Sequence, residues 1–296
     1  MKKSKPLSVK TAEPSLPPST AFLSDSRQTW IMGVLNATPD SFYAGSRATL
    51  PARALTTVDQ MVREGVDVLD VGGESTRPGA TEISLDIERE RVLPVIESVR
   101  ERWPALPLSI DTQKAAVARE ALARGVSMVN DISALRADPG MAEVVADGEF
   151  PVVIMHMQGT PQTMQQEAHY ADVVDDINRF FEERLRFASR QRIREDRIIL
   201  DPGIGFGKTT EHNMDILRGL SKFLVWRRPL MVGVSRKTFI GRWLGTQDLP
   251  LPPEDRLEGS VAAALWAVKE GARGLRVHDV GPTRRALRLW EGLARA

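Results

Sequence analysis

The stretch LPLSIDTQKAAVAREALARGVSMVND, residues 106–131, contains the structural unit that decides the fold. An apolar run over Leu106–Ile110 ends at Asp111, as a buried strand does when it reaches solvent. An alanine-rich segment over Gln113–Arg124 follows with helical periodicity and stops before a glycine. The next apolar run, Ser127–Val129, again ends in polar residues. The pattern predicts two buried strands joined by a helix.

The same unit recurs along the rest of the chain. The apolar runs are Trp30–Leu35, Asp67–Val71, Leu106–Ile110, Ser127–Val129, Val152–Met155, Ile198–Leu200, Leu230–Val234 and Leu275–Val277. The segments with helical periodicity are Pro51–Glu64, Ile83–Trp103, Gln113–Arg124, Pro139–Ala146, Tyr170–Arg192, Thr209–Trp226, Glu254–Glu270 and Pro282–Ala296. Eight strand–helix units predict an α/β fold of the (β/α)8 TIM-barrel type. A doubly wound open parallel sheet is the alternative, but it normally has fewer units.

The composition excludes several classes of function. The 40 Lys and Arg residues balance 39 Asp and Glu residues, which argues against nucleic acid or an acidic membrane as a partner. The chain has no cysteine, so disulfides, cysteine zinc sites, iron–sulfur clusters and thiol nucleophiles are excluded. No stretch approaches the roughly 20 apolar residues of a membrane helix.

The N-terminal segment differs from the rest of the chain. Four prolines lie within its first 18 residues, which predicts a flexible tail over residues 1–26. Residues 27–296 show no linker or shift in composition and are predicted to form one barrel domain. The tail lacks the apolar core of a secretory signal, so we expect a cytoplasmic location.

Polar residues follow the predicted strands. In a (β/α)8 barrel, the residues after each strand form one rim, and that rim carries the chemistry. Asp111, Asn130 and Asp201 lie at such positions, and buried carboxylates there are costly unless they are paired. A planar heterocycle with adjacent N–H donors would pair with them, although each Asp alone is more often a helix cap or a loop ligand. No GxSxG elbow and no HExxH motif is present.

The ends of the last two strands carry cations. Ser235-Arg236-Lys237 follows the seventh strand, and Arg276 and His278 lie at the eighth on the same side of the strand. Barrels often bind phosphate near these strands, so the pattern favours an anion site over a surface ion pair. The glycine-rich segment 201–208 lacks Walker spacing and is interpreted as a tight turn that lets the backbone approach a flat ligand. Residues 36–42 and 72–79 are typical of mobile, lid-forming loops.

Eight stretches together carry a resemblance to a known family. They are IMGVLNATPDSF, DVGGESTRPGA, LSIDT, VNDIS, VIMHMQGTP, IILDPGIGFGK, VGVSRKTFIG and RVHDV, in that order from Ile31 to Val280. In these residues the chain resembles the dihydropteroate synthases, folate-pathway enzymes of the pterin-binding barrel family. The resemblance implies condensation of 6-hydroxymethyl-7,8-dihydropterin diphosphate with p-aminobenzoate to 7,8-dihydropteroate and diphosphate. It also implies a homodimer.

The resemblance also implies roles for individual residues. The residues expected to hold the pterin are Asp111, Asn130, Asp201 and Lys237 at its edge, with Ile132, Met155 and Phe206 against its faces. The diphosphate is expected at Asn36, Arg276 and His278, with Mg²⁺ near Asn36. The residues expected around p-aminobenzoate are Phe42, Thr76, Arg77, Pro78, Lys237 and Thr238. Asp111, Lys237 and Arg276 are the expected catalytic residues, while His156 is interpreted as structural.

The implied mechanism is dissociative: diphosphate leaves first, and the arylamine then captures a pterin-stabilised cation. Such a transfer needs electrostatic stabilisation and no protein nucleophile. One departure from the family pattern is Ala44, which stands where an acid is usual in the first loop. This puts the turnover rate or the loop closure in question. Our hypothesis is that Asp40 compensates, and unchanged turnover in Asp40→Asn would refute it.

Three alternative functions remain open at this point. A pterin-dependent methyltransferase of the same superfamily would have no use for the pair Arg276 and His278. A non-catalytic pterin-binding paralogue is consistent with Ala44. A phosphate-binding aldolase or isomerase would need a Schiff-base lysine or a glutamate base on the rim, where Lys237 is the one obvious lysine.

Overall fold

A computed structural model describes Thr20, Leu23 and residues 28–38, 49–77, 79–164, 168–246 and 248–294. The strands are β1 (Trp30–Asn36), β2 (Val68–Gly72), β3 (Leu108–Asp111), β4 (Met128–Asp131), β5 (Val152–Met155), β6 (Ile198–Asp201), β7 (Met231–Val232) and β8 (Gly274–Val277). The α-helices are α1 (Thr49–Arg63), α2 (Leu85–Arg102), α3 (Ala115–Ala123), α4 (Gly140–Asp147), α5 (Val173–Arg190), α6 (Thr210–Arg218), α7 (Thr238–Leu244), α8 (Leu257–Lys269) and α9 (Val280–Ala294). Short 3-10 helices cover Glu195–Arg197, Leu220–Trp226 and Pro253–Arg256.

The eight strands form one parallel sheet. Its order is β6-β5-β4-β3-β2-β1-β8-β7, and a parallel bridge between Leu200 and Leu230 joins the two ends. The predicted (β/α)8 barrel is therefore confirmed. Within the described residues no helix is long and apolar enough to cross a membrane.

The predicted elements differ from the observed ones in several places, of which three bear on the site. Several polar residues predicted to follow a strand form its last position, so that β3 ends with Asp111 and β6 with Asp201. The segment predicted as one helix over Thr209–Trp226 divides into α6 and a 3-10 helix, because a glycine ends α6. The additional helix α7, of seven residues, lies between β7 and α8 and was not predicted.

Side-chain caps fix the starts of α2, α5 and α6 at the rim end of the barrel. Ser84 accepts a hydrogen bond from the backbone N–H of Ile87 at the start of α2. Asp172 accepts from two N–H groups in the first turn of α5. Caps of this kind satisfy backbone donors that the helix itself leaves unpaired.

Two hydrophobic clusters pack against the strands, one outside the barrel and one inside it. The larger lies between the sheet and the helices, and includes outward-facing residues such as Leu69, Ile110 and Leu275. The smaller cluster fills the barrel interior at the amino ends of the strands, and we call it the lower layer. Its members are Leu23, Trp30, Met32, Val68, Met128, Val153, Ile199 and Met231.

Strand alternation places a second set of side chains above the lower layer. Side chains two residues apart in a strand point to the same face. The inward positions after Val68, Met128, Val153 and Ile199 are therefore occupied by Asp70, Asn130, Met155 and Asp201. Together with Asp111 and Arg276 these four residues form what we call the upper layer.

The segment predicted as a tail includes two described residues, Thr20 and Leu23, and both are buried. Leu23 packs in the lower layer. The remainder of residues 1–26 lies outside the described part of the chain. The predicted domain boundary stays a prediction.

Candidate active site

A buried ion cluster occupies the centre of the upper layer. The Arg276 guanidinium donates to Oδ2 of Asp70 at 2.7 Å and to Oδ2 of Asp111 at 2.6 Å. The Asn130 side-chain amide donates to the same Asp70 oxygen at 2.9 Å. The Asp70 side chain is fully buried, and Arg276 is 20% exposed. One arginine from β8 thus bridges carboxylates on β2 and β3.

The cluster changes the proton affinity of its members. Burial, with a smaller contribution from the Asp70 carboxylate, raises the pKa of Asp111 to about 7 against the opposing effect of the Arg276 guanidinium. Burial alone lowers the pKa of Arg276, but the two carboxylates outweigh it and raise that pKa above its ordinary value. Arg276 therefore stays charged, while Asp111 exchanges a proton near neutral pH.

Asp201 and Lys237 are two further charged groups, and each affects the pKa of the other. Burial raises the pKa of Asp201 and lowers that of Lys237 to about 8, while each charge partly offsets the burial effect on the other. The Asp201 carboxylate accepts from the Gly203 N–H at 2.7 Å. Lys237 Nζ donates to the Ile204 carbonyl and lies 4.6 Å from the centre of the Phe206 ring. The lysine thus remains largely charged at pH 7, and it faces an aromatic ring.

The turn after Asp201 requires glycine. Gly203 has φ of +68°, and a Cβ there would lie 1.9 Å from the His156 carbonyl oxygen. The buried Lys208 closes this turn by donating to the Phe206 carbonyl at 2.9 Å, and its Nζ lies 3.0 Å from His156 Nδ1. Burial lowers the pKa of both Lys208 and His156 well below their ordinary values. His156 therefore acts as a packing and hydrogen-bonding partner, as the sequence predicted.

An apolar group lies beside the charged one. Ile132, Met155, Met157 and Met164 are buried together, and Phe206 packs against them half-buried. A flat ring whose edge reached the carboxylates would have these side chains against its faces. The site therefore places hydrogen-bonding groups beside an apolar surface.

The ends of β7 and β8 meet at the rim. Ser235 Oγ lies 3.1 Å from His278 Nδ1 and accepts from the His278 backbone N–H at 3.1 Å. Desolvation, followed by repulsion from the Arg276 cation, lowers the pKa of His278 to about 4. His278 is exposed and neutral at pH 7, so it could offer an anion an N–H donor rather than a charge.

The second predicted loop is anchored by a half-buried lysine. Lys114 Nζ donates to Glu74 Oε2 at 2.5 Å and to Glu88 Oε2 at 2.7 Å. Glu74 precedes Thr76, which is half-buried, and Arg77, which is exposed. Thr238, the first residue of α7, is exposed beside Lys237. Four residues discussed above lie outside the described residues: Phe42, Pro78, Asp40 and Ala44.

Asn36 ends β1 at the same rim and is half-buried. Within the described ranges no group of three or more His, Cys, Asp or Glu side chains could hold a metal ion. The Asn36 amide oxygen is the donor expected at this rim. It could serve Mg²⁺ as one ligand, because this ion keeps several waters and takes other ligands from substrate phosphates.

The structure brings most predicted residues together and adds one. Asp111, Asn130, Asp201, Lys237 and Arg276 converge as predicted, although Arg276 is engaged by carboxylates. Asp70 was not identified from the sequence. It could have been found from its position two residues after Val68, which places both side chains on the inner face of β2. Asp131, also a polar strand end, accepts from the Ser133 and Leu135 N–H groups and fixes a turn instead.

Comparisons with known proteins identify the family of the chain. The model of the family described as pterin binding enzyme matches residues 32–278. Dihydropteroate synthase of Escherichia coli K12 is 42% identical over 261 residues, 88% of this chain and 90% of that protein. The structure of Xanthomonas albilineans dihydropteroate synthase with 4-aminobenzoic acid has a TM-score of 0.85 at 43% identity, covering 92% of this chain and 95% of that one. The same enzyme in complex with 7,8-dihydropteroate has a TM-score of 0.82 at 40% identity, with the same coverage of each chain.

Proposed function

The chain belongs to the pterin-binding enzyme family and acts as a dihydropteroate synthase, and we propose that its upper layer binds the pterin substrate. The activity is the condensation of 6-hydroxymethyl-7,8-dihydropterin diphosphate with p-aminobenzoate. The observation that supports the site assignment is the buried set of Asp111, Asn130 and Asp201 at one height in the barrel. It is supported further by relatives whose complexes contain 4-aminobenzoic acid and 7,8-dihydropteroate.

The pterin edge is the group that these side chains suit. A pterin carries adjacent N–H donors on one edge, and a carboxylate accepts two such hydrogen bonds side by side. Asp111 and Asp201 supply the carboxylates, and Asn130 both donates and accepts. Lys237 completes the edge, and the apolar group around Met155 covers the faces of the ring.

The diphosphate lies over Arg276 in this proposal. The guanidinium has five N–H donors, of which two are used by Asp70 and Asp111. Three remain for phosphate oxygens. His278 adds a neutral donor, and the two carboxylates behind Arg276 hold its plane in place.

Mg²⁺ is the cofactor that we propose at Asn36. The fit rests on the single amide oxygen at the end of β1, with diphosphate oxygens and water as the other ligands. When bound, the ion stabilises negative charge on the departing diphosphate. Within the chain, Asn36 would orient the diphosphate, and Arg276 would neutralise charge on its inner side.

The reaction follows from this placement. The C–O bond between the pterin methylene and the diphosphate breaks, and the electron pair leaves on the diphosphate oxygen. The arylamine nitrogen then forms the C–N bond and loses a proton. The Asp111 and Asp201 carboxylates stabilise the cationic ring between the two steps. No protein nucleophile takes part.

p-Aminobenzoate would enter from the solvent side. Thr76, Arg77, Lys237 and Thr238 lie on the two rim segments that face this side, and Arg77 is exposed and able to meet a carboxylate. Lys114 supports the first of these segments through Glu74. Phe42 and Pro78 lie outside the described residues, so their place in this proposal rests on the sequence resemblance alone.

The experiment that tests the function measures diphosphate release from the pterin diphosphate with Mg²⁺, with and without p-aminobenzoate. We expect stoichiometric formation of diphosphate and 7,8-dihydropteroate. No release above the blank would refute the synthase activity, and tight pterin binding without release would favour the non-catalytic paralogue. The matched relatives are named as synthases, so neither that paralogue nor the methyltransferase is favoured.

We also propose a homodimer through the face formed by α7 and α8. Trp243 and Leu244 on α7 are more than half exposed, as is Leu249 after it, and Trp266 on α8 is 42% exposed. An apolar patch of this kind marks an interaction surface. Sedimentation should show a dimer, and Trp243→Glu should shift it to the monomer. The cytoplasmic location stays a prediction.

A further inference from the structure

The turn Ser235-Arg236-Lys237, between β7 and α7, has a strained backbone at its centre. Arg236 has φ of +57°, in the left-handed region. A residue with a side chain pays a conformational cost there and keeps the conformation only when its surroundings impose it. The contacts of Arg236 should therefore explain why the turn does not relax.

Three contacts hold Arg236 from separate elements. Its backbone N–H donates to Ser260 Oγ at 2.8 Å, and its carbonyl accepts from Arg256 Nη1 at 2.9 Å. Its guanidinium forms a bidentate pair with Asp279, at 2.8 and 2.6 Å. Ser260 and Arg256 are themselves buried. Residues of three elements thus fix Arg236. Ser260 of α8 and Arg256 of the preceding 3-10 helix hold its backbone, and Asp279 before α9 holds its side chain.

The neighbours of Arg236 in the chain contact residues of the proposed binding site. On one side Ser235 Oγ hydrogen-bonds His278. On the other side Lys237 Nζ lies over the Phe206 ring and contacts the Ile204 carbonyl. A backbone rotation at Arg236 would displace both. The Arg236 charge itself is matched by Asp279 and is not needed for an anion.

We propose that Arg236 and Asp279 are positioning residues, whose ion pair keeps the turn left-handed and so directs Lys237 into the barrel. This inference rests on the proposed function, because Lys237 matters only if the upper layer binds the pterin. It predicts a specific difference between glycine and alanine at position 236. Glycine adopts φ of +57° without cost, whereas alanine retains the cost and loses the ion pair.

The test compares Arg236→Ala with Arg236→Gly. In the alanine variant the turn relaxes, and we expect the KM for the pterin diphosphate to rise about tenfold. In the glycine variant the turn keeps its shape, and the KM should stay within about threefold of the wild-type value. A role limited to stability would not separate the two variants by KM.

The matched control is Arg227, which is also left-handed, with φ of +51°, and lies at the opposite end of β7. Arg227→Ala and Arg227→Gly should differ in the temperature of unfolding but not in KM. Equal losses in Arg236→Gly and Arg236→Ala would overturn the proposal, because they would show that the side chain itself contacts substrate. Unchanged KM in both would overturn it as well.

Asp279→Asn keeps the shape of the side chain and removes its charge. It should raise the KM in the same direction as Arg236→Ala, by about threefold to tenfold. An unchanged KM in a folded Asp279→Asn protein would contradict the proposal. If the wild-type chain formed no dihydropteroate, the proposed function would fail separately. Calorimetric binding of the pterin diphosphate to the same variants would then still test the positioning role.

Discussion

The lower and upper layers of the barrel interior stand on the same strands, two residues apart, and have opposite chemistry. The lower layer is apolar and tightly packed: a Cβ on Gly274 would lie 2.3 Å from the Trp30 ring. The upper layer carries three carboxylates, an amide, a guanidinium and Met155. Burial is nearly complete in both layers, so exposure alone does not account for the difference.

The two layers therefore contribute differently to the free energy of unfolding. Apolar side chains in the lower layer stabilise the fold by leaving water. Buried carboxylates in the upper layer are costly, as the raised pKa values of Asp111 and Asp201 indicate. Such a cost is typical of sites prepared for a ligand. Variants of the lower layer should accordingly lose stability without losing activity, whereas variants of the upper layer should lose activity.

The largest effect is expected from Arg276→Met. Removing the guanidinium leaves Asp70 and Asp111 without their cation and removes the donors proposed for the diphosphate. We expect kcat/KM to fall about 10³-fold. The free energy of unfolding should fall by about 3 kcal/mol. Diphosphate release and urea unfolding measure the two effects.

Arg284→Met provides the control for this variant. Arg284 pairs with Asp67 outside the upper layer, and its side chain is 19% exposed, close to the 20% of Arg276. Its loss should leave kcat/KM unchanged. If both variants lost activity equally, the assignment of the activity to the upper layer would be wrong.

Two methionines allow the same substitution in each layer. Met155 lies in the upper layer and Met128 in the lower one, and both are buried. Met155→Ala should raise the KM for the pterin diphosphate about tenfold, because the ring loses contact area. Met128→Ala should leave the KM unchanged and lower the free energy of unfolding by about 2–5 kcal/mol. Similar KM values in both variants would contradict a face contact at Met155.

A smaller effect is expected from pH. Asp111 has a pKa of about 7 and must be ionised to accept two N–H groups, so kcat/KM should fall as the pH drops below 7. Between pH 7.5 and 6.5 the expected fall is about threefold. Lys237, with a pKa of about 8, loses its charge above that pH, so kcat/KM should fall there too.

Asp111→Asn separates this effect from titration of the substrate. The substrate ionises identically with either enzyme, whereas the variant has no carboxyl group at this position. Its kcat/KM should be lower throughout, and its acid limb should become flatter. An acid limb identical to that of the wild type would show that another group titrates.

The barrel and most of its rim followed from local patterns. Asp111 and Asp201 ended apolar runs, and the fold then required them to converge. Asp70 did not stand out, because strands buried on both faces read as continuous apolar runs and conceal their alternation. The pairing of Arg276 with Asp70 joins residues 206 positions apart, so no local pattern reports it.

Short helices and strained backbone positions also could not be predicted from the sequence. Helix α7 has seven residues, too few for a helical period to be recognised. Arg236 is left-handed although it is not a glycine, so its residue type gives no indication of this conformation. Tertiary contacts rather than its own propensity impose it. Helix α7 and Arg236 both adjoin Lys237 in the chain and therefore help to position it.

Calorimetric titration of the pterin diphosphate into the wild type and Asp111→Asn tests the central claim most directly. We predict one pterin bound per chain in the wild type and an affinity about tenfold to 100-fold lower in Asp111→Asn, because a buried carboxylate that pairs with two N–H groups is lost. Equal affinity in the two proteins would contradict the claim that the upper layer holds the pterin edge.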